Sequence, residues 1–156
     1  MNSNFSKGVI GTVVFFLFFS GYYLVQANFK TKMENSAEEY LTKQLDEWKN
    51  GRLNNRLWGI IPSDFEGDLR EWKDYKLSSY FIEKIKARSR YVSKRRHGIW
   101  YYFYKLSPAY IYVYADVELT MEDPDGYPKT YNIRYRMEPQ SGDKWLITKG
   151  PKIKLF

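Results

Sequence analysis

Residues 8–25 read GVIGTVVFFLFFSGYYLV, eighteen positions without a charge. At about 1.5 Å rise per residue, such a helix extends about 27 Å, close to the roughly 30 Å of a bilayer's hydrocarbon core. Six of the eighteen residues are aromatic and none forms a charged stripe, so the helix has no face to turn toward water. Tyr22 and Tyr23 lie near one end, where amphipathic rings favour the membrane interface. Lys7 bounds one side, and Lys30 and Lys32 bound the other. The segment reads as a retained transmembrane helix over residues 8–27, with a tail at 1–7, a linker at 28–33 and a folded domain over 34–156. Val25-Gln26-Ala27 also suits a signal peptidase, which makes a cleaved signal the alternative. The flanking positive charges nearly balance. A short leading tail before a large domain favours a single-pass protein with its C-terminal domain on the extracytoplasmic side.

The formal charge of +7 suggests nucleic acid until it is located. Residues 1–33 carry +3, and residues 83–97 carry +6 from seven cations and Glu83, which leaves −2 for everything else. The chain therefore has one basic segment, Lys84, Lys86, Arg88, Arg90, Lys94, Arg95 and Arg96, on an otherwise mixed surface. Cysteine is absent, which excludes disulfides, thiol catalysis and thiolate metal sites. With His97 as the sole histidine, a histidine-based metal site is excluded as well.

Beyond the span, ENSAEEYLTKQLDEWK (34–49) sets Ala37, Tyr40, Leu41, Leu45 and Trp48 at spacings of three and four, the signature of an amphipathic helix. Ser36 with Glu39 suits a capping box, and Asn50-Gly51 suits a stop. Phe65, Leu69 and Trp72 share a helical face after a Ser63 or Asp64 cap, and Leu77, Phe81 and Ile85 predict a further helix over 76–88, while Lys84–Tyr91 alternates charged with smaller residues, which leaves an extended C-terminal part as the alternative. The period then changes. In AYIYVYADVELTM the odd positions from Ala109 to Met121 are apolar, while Tyr110, Tyr112, Tyr114, Asp116, Glu118 and Thr120 face the other way. KTYNIRYRME repeats that parity. A Pro124-Asp125-Gly126 loop between them makes paired residue numbers sum to 250, which sets Asp116 opposite Arg134 and Tyr114 opposite Arg136. A turn at Ser141-Gly142-Asp143 precedes a strand in KWLITK, and KIKLF alternates again after Gly150-Pro151. Ile99–Leu106, in KRRHGIWYYFYKL, reads as another strand with Lys94–Gly98 as its charged approach, in preference to an exposed stacking surface for nucleic acid. The expected class is α+β: an N-terminal transmembrane helix, then helices packed on a curved antiparallel sheet of about four strands.

The helix AEEYLTKQLDEW, followed by YIYVYADVELTM, a turn, TYNIRYRME, a second turn and KWLIT with a Trp opening the last strand, resembles the nuclear transport factor two-like (cystatin-like) roll over most of residues 34–150. The match lies in element order and strand pattern. That superfamily holds enzymes, ligand binders and membrane-anchored assembly subunits such as the single-pass component of type IV secretion systems, so the resemblance alone does not give function. The anchor makes the assembly class the better comparison.

Three surfaces compete for function. Tyr110, Tyr112, Tyr114, Arg134 and Arg136 form an outward stripe of the residue types that dominate interface hot spots. The basic segment suits anionic lipid headgroups or an acidic partner. Trp48, Trp58 and Trp72 would line a cavity for a small apolar ligand or lipid between helices and sheet. Catalysis and cofactors are not expected, because the inward strand positions are Ala, Ile, Val and Leu and no phosphate loop or dinucleotide fingerprint is present. The expected function is that of a non-catalytic accessory or assembly subunit of a membrane complex. Its partners would be other membrane subunits and the bilayer, without nucleic acid, and it would self-associate, if at all, through the sheet face. The alternative is the apolar-ligand binder.

Overall fold

The structure, a computed structural model, describes residues 3–52, 75–90, 98, 100–104, 107–108, 111–140 and 144–149. Helix α1 (Ser3–Lys49) is followed by strand β1 (Lys76–Ser89), the short helix α2 (Trp100–Tyr104), and strands β2 (Ile111–Glu122), β3 (Pro128–Pro139) and β4 (Trp145–Lys149). The strands form one antiparallel sheet in the order β1-β2-β3-β4. The fold is α+β, with a long apolar N-terminal helix and a four-stranded sheet.

Helix α1 is 47 residues long, about 70 Å at the α-helical rise. The expected linker at 28–33 does not interrupt it, because no Gly or Pro occurs between Gly21 and Gly51. Ser36 is consequently a mid-helix residue and not a cap. The inward stripe begins earlier than the sequence pattern suggested, with Phe29 and Met33 partly buried and Ala37, Leu41, Gln44, Leu45 and Trp48 buried. The helix ends as expected. Arg52 N–H donates to Glu47 O and Gly51 N–H to Trp48 O, with Gly51 at φ 77°, the Schellman arrangement that a side chain with Cβ would strain.

The inner face of the sheet supplies Ile111, Val113, Ala115, Val117, Leu119, Met121, Ile133, Tyr135, Met137, Trp145 and Ile147 to the same core cluster as the α1 stripe. Polar contacts fix the direction of α1 across it. The Tyr80 hydroxyl donates to Asp46 Oδ1 (2.7 Å), Ala87 N–H to Glu34 Oε1 (2.7 Å), and Trp145 Nε1–H to Ser36 Oγ (3.3 Å). The Glu34 carboxylate thus satisfies a backbone donor on the outer edge of β1, a group that would otherwise invite another strand. Burial and the bond to Asp46 together push the Tyr80 hydroxyl up to about 12. The ends of β1 and β3 and the starts of β2 and β4 therefore lie toward the N-terminal part of α1, and the β2–β3 turn lies away from it.

The β2–β3 hairpin has the expected register throughout, from Val113 opposite Met137 to Glu122 opposite Pro128. Gly126 takes φ 85° and donates to Asp123 O, while the Asp123 carboxylate accepts from the backbone N–H groups of Asp125 and Tyr127.

Two further expectations fail. Residues 76–88 form β1 and not a helix. The strand carries register shifts between Leu77 and Ser79 and between Ile82 and Lys84, each an extra residue relative to β2. These bulges put Leu77, Tyr80, Ile82, Ile85 and Ala87 on the core side at spacings of two and three, whereas Phe81, which the helical reading grouped with Leu77 and Ile85, is exposed. Residues 100–104 form a helical turn and not a strand. Aromatic residues occupied both faces of the supposed strand, so alternation carried no information there, and the Tyr102 ring packs on α1 instead. The expected helix around Phe65–Trp72, the turn at 141–143 and the alternation at 152–156 lie outside the described residues.

Candidate interaction surface

The outer face of the sheet is built by cross-strand rows. Lys84 lies beside Asp116, which lies beside Arg134; Lys86 lies beside Tyr114, which lies beside Arg136 and then Thr148; Arg88 lies beside Tyr112. The two surfaces that the sequence presented separately, the Tyr/Arg stripe and the basic segment, are therefore adjacent strands of one face. The conversion of 76–88 from helix to strand brings them together.

Within the face the charges divide into two groups. Asp116 and Arg134 form a bidentate pair, with Arg134 Nε and Nη2 donating to Oδ1 and Oδ2 at 2.5 and 2.7 Å. Asp116 is only 9% exposed although it points outward, because the guanidinium and the flanking side chains cover it. The hydrogen bonds to Asp116 hold the Arg134 guanidinium even more firmly protonated than usual. Arg134 also lies 5.8 Å from the centre of the Tyr114 ring, and Arg136 lies 4.8 Å from that of Tyr112. The two tyrosine rings meet edge to face at 5.0 Å. Desolvation, reinforced by Tyr112, raises the Tyr114 hydroxyl above its usual range. Arg136 Nη2 donates to Glu138 at 2.7 Å, and Arg90 pairs with the same carboxylate. Arg134, Arg136, Tyr112 and Tyr114 thus form a pre-ordered framework.

Lys84, Lys86 and Arg88 form the second group. All three are exposed, and none makes an ion pair among the described residues. With Tyr112, Tyr114, Asp116 and Arg134 they line a half-open recess of about 340 Å³. Among its described lining residues the one carboxylate is already committed to Arg134, so they present net positive charge over aromatic walls. Chemically, it can hold a carboxylate, phosphate or acidic side chain. Tyr110, Lys94, Arg95 and Arg96 lie outside the described residues. Trp48, named for an apolar cavity, is 3% exposed within the core shared by α1 and the sheet, while Trp58 and Trp72 are also outside the described residues. Among the described residues, no cluster of three or more His, Cys, Asp or Glu is placed to hold a metal ion.

A second surface is the uncharged run of α1 that the sequence reads as a membrane span. Val13–Phe18 and Tyr23–Val25 of α1 are 51–68% exposed. The helix is long and apolar enough to cross a membrane. On its flank, α2 places the Tyr102 ring 6.0 Å from Phe19 and 5.5 Å from Tyr22, edge to face in both cases.

No protein-family model matches the chain, and no curated protein or solved structure matches it significantly.

Proposed function

We propose that this chain is a non-catalytic, single-pass membrane protein that serves as an accessory or assembly subunit of a larger membrane complex. On this reading α1 anchors the chain and carries the sheet domain on its own continuous helix. The helix-on-sheet order supports assignment of the domain to the cystatin-like rolls. The outer sheet face docks an acidic segment of a partner subunit. The observation that carries this reading is the recess in which three cations without an ion pair among the described residues, Lys84, Lys86 and Arg88, stand over the ordered Tyr112/Tyr114/Arg134 framework. Ordered aromatic and Arg groups give a docking surface its affinity at low entropic cost, and unpaired rim cations give it rate and charge selectivity. A merely solvated strand face would need no such framework.

The test is a photo-crosslinking residue placed at position 86 in the full chain, irradiated in native membranes. The reading predicts one dominant protein adduct, lost when Lys84 and Arg88 are both changed to Glu. Adducts to lipid alone, or a ladder of unrelated proteins unaffected by the charge reversal, would reject it.

A further inference from the structure

We propose that the aromatic turn α2 (Trp100–Tyr104) is a second membrane element, embedded in the headgroup–acyl boundary beside α1, that fixes the depth of the domain. The inference rests on the reading that α1 spans a bilayer. It begins with location. The Tyr102 ring of α2 meets Phe19 and Tyr22 of α1, both inside the uncharged run that ends at Val25. Those residues lie three and six positions before Val25, about 4.5 and 9 Å along the axis. Interfacial helices bury their apolar face by about 5–10 Å, the same depth. In contrast, Glu34, where α1 first hydrogen-bonds the sheet, lies twelve residues beyond Tyr22, about 18 Å farther along α1. The turn α2 thus packs on the apolar part of the helix, before the segment of α1 that packs on the sheet.

The second argument is composition. WYYFY contains no charge, and Trp and Tyr are the residues that concentrate at membrane interfaces, where the ring meets acyl chain and the N–H or hydroxyl meets headgroup. Trp100 is 65% exposed, with Tyr101 and Tyr102 partly so. In water this would be an uncovered aromatic patch continuous with the exposed Val13–Phe18 belt. In a bilayer the two form one lipid-facing surface. A single helix can slide, tilt and rotate in the membrane, and a second contact point at fixed depth removes much of that freedom. The outer sheet face would then meet its partner at a set height.

The full chain, reconstituted into phosphatidylcholine–phosphatidylglycerol vesicles, tests this. The lipids carry bromine either near the glycerol or near the chain end, and the Trp100 signal is taken as the difference between wild type and Trp100→Phe. The proposal predicts a blue-shifted Trp100 component, quenched by shallow bromine more than by deep bromine and shielded from aqueous iodide. A chain that floats with the vesicles while Trp100 is quenched by iodide would overturn the proposal and leave the spanning helix intact. A Trp100 reached by neither quencher would be covered by protein, a second copy included, and would overturn it equally. A chain that fails to float at all would remove both the spanning helix and this inference.

Discussion

Leu41 and Leu24 belong to the same helix and differ in what surrounds them, so one substitution made at both sites measures where α1 changes partner. Leu41 is fully buried between Ala37, Leu45 and the inner sheet face, whereas Leu24 is 67% exposed in the uncharged run. Leu41→Ala removes three carbons from a site walled on one side by a rigid helix and on the other by a hydrogen-bonded sheet, neither of which can collapse fully into the space. The loss should fall near the middle of the range for buried leucines, about 3 kcal/mol. For a domain of this size each kcal/mol corresponds to a melting shift of about 4 °C, so Tm should fall by about 12 °C. Leu24→Ala exchanges one lipid- or detergent-facing side chain for another and should change stability by less than about 0.5 kcal/mol. The assay is thermal unfolding of the full chain in mild detergent, followed by near-UV circular dichroism of the buried Trp48 and Trp145. Equal shifts for the two variants, or a Leu41→Ala loss below about 1 kcal/mol, would refute the packing of the 29–48 stripe on the sheet.

Arg134→Ala should cost about 2 kcal/mol in the same assay, because it strands the largely covered Asp116 carboxylate without its bidentate partner; Asp116→Asn combined with Arg134→Ala should recover part of the loss, and strict additivity would show that the pair is not coupled. The Asp123 carboxylate, held below its ordinary 3.8 first by the Tyr127 backbone N–H and also by Lys129 and the Asp125 N–H, should titrate below that value by carbon-detected NMR. Because its folded value is depressed, the hairpin stabilisation it provides is present above pH 3.8 and lost as pH falls through the folded value; a midpoint at or above 3.8 would contradict the turn geometry.

Much of this architecture is legible in the residues. The hairpin is the clearest case: alternation across Ile111–Glu122, the Pro124-Asp125-Gly126 turn and the Asp116/Arg134 pairing all demand one register, and it is the register found. The end of α1 at Gly51 is equally plain, since a left-handed position favours Gly. The failures have physical causes. A capping box marks a helix start only where the chain before it breaks, and residues 22–35 contain no breaker, so the span and the amphipathic helix fuse. Bulges in β1 break the strict alternation of its core residues, and only pairing with a long β2 reveals the strand. In the candidate site, the residue types were readable but their union was not. Lys84, Lys86 and Arg88 reach Tyr112 and Tyr114 only when 84–88 is a strand beside 112–116. The placement of Tyr102 on Phe19 and Tyr22 is a contact across about eighty residues that no local pattern announces.

The role proposed for the outer sheet face is to bind a partner subunit. It is tested most directly by the native mass of the full chain after gentle detergent extraction, with mass spectrometry of what travels with it, for wild type and for the Lys84→Glu, Lys86→Glu, Arg88→Glu triple variant. The account predicts a large stoichiometric complex for wild type and a free, folded chain for the triple variant, with the complex weakening as salt is raised. A lone monomer or dimer in both cases, or a complex indifferent to the charge reversal, would contradict it.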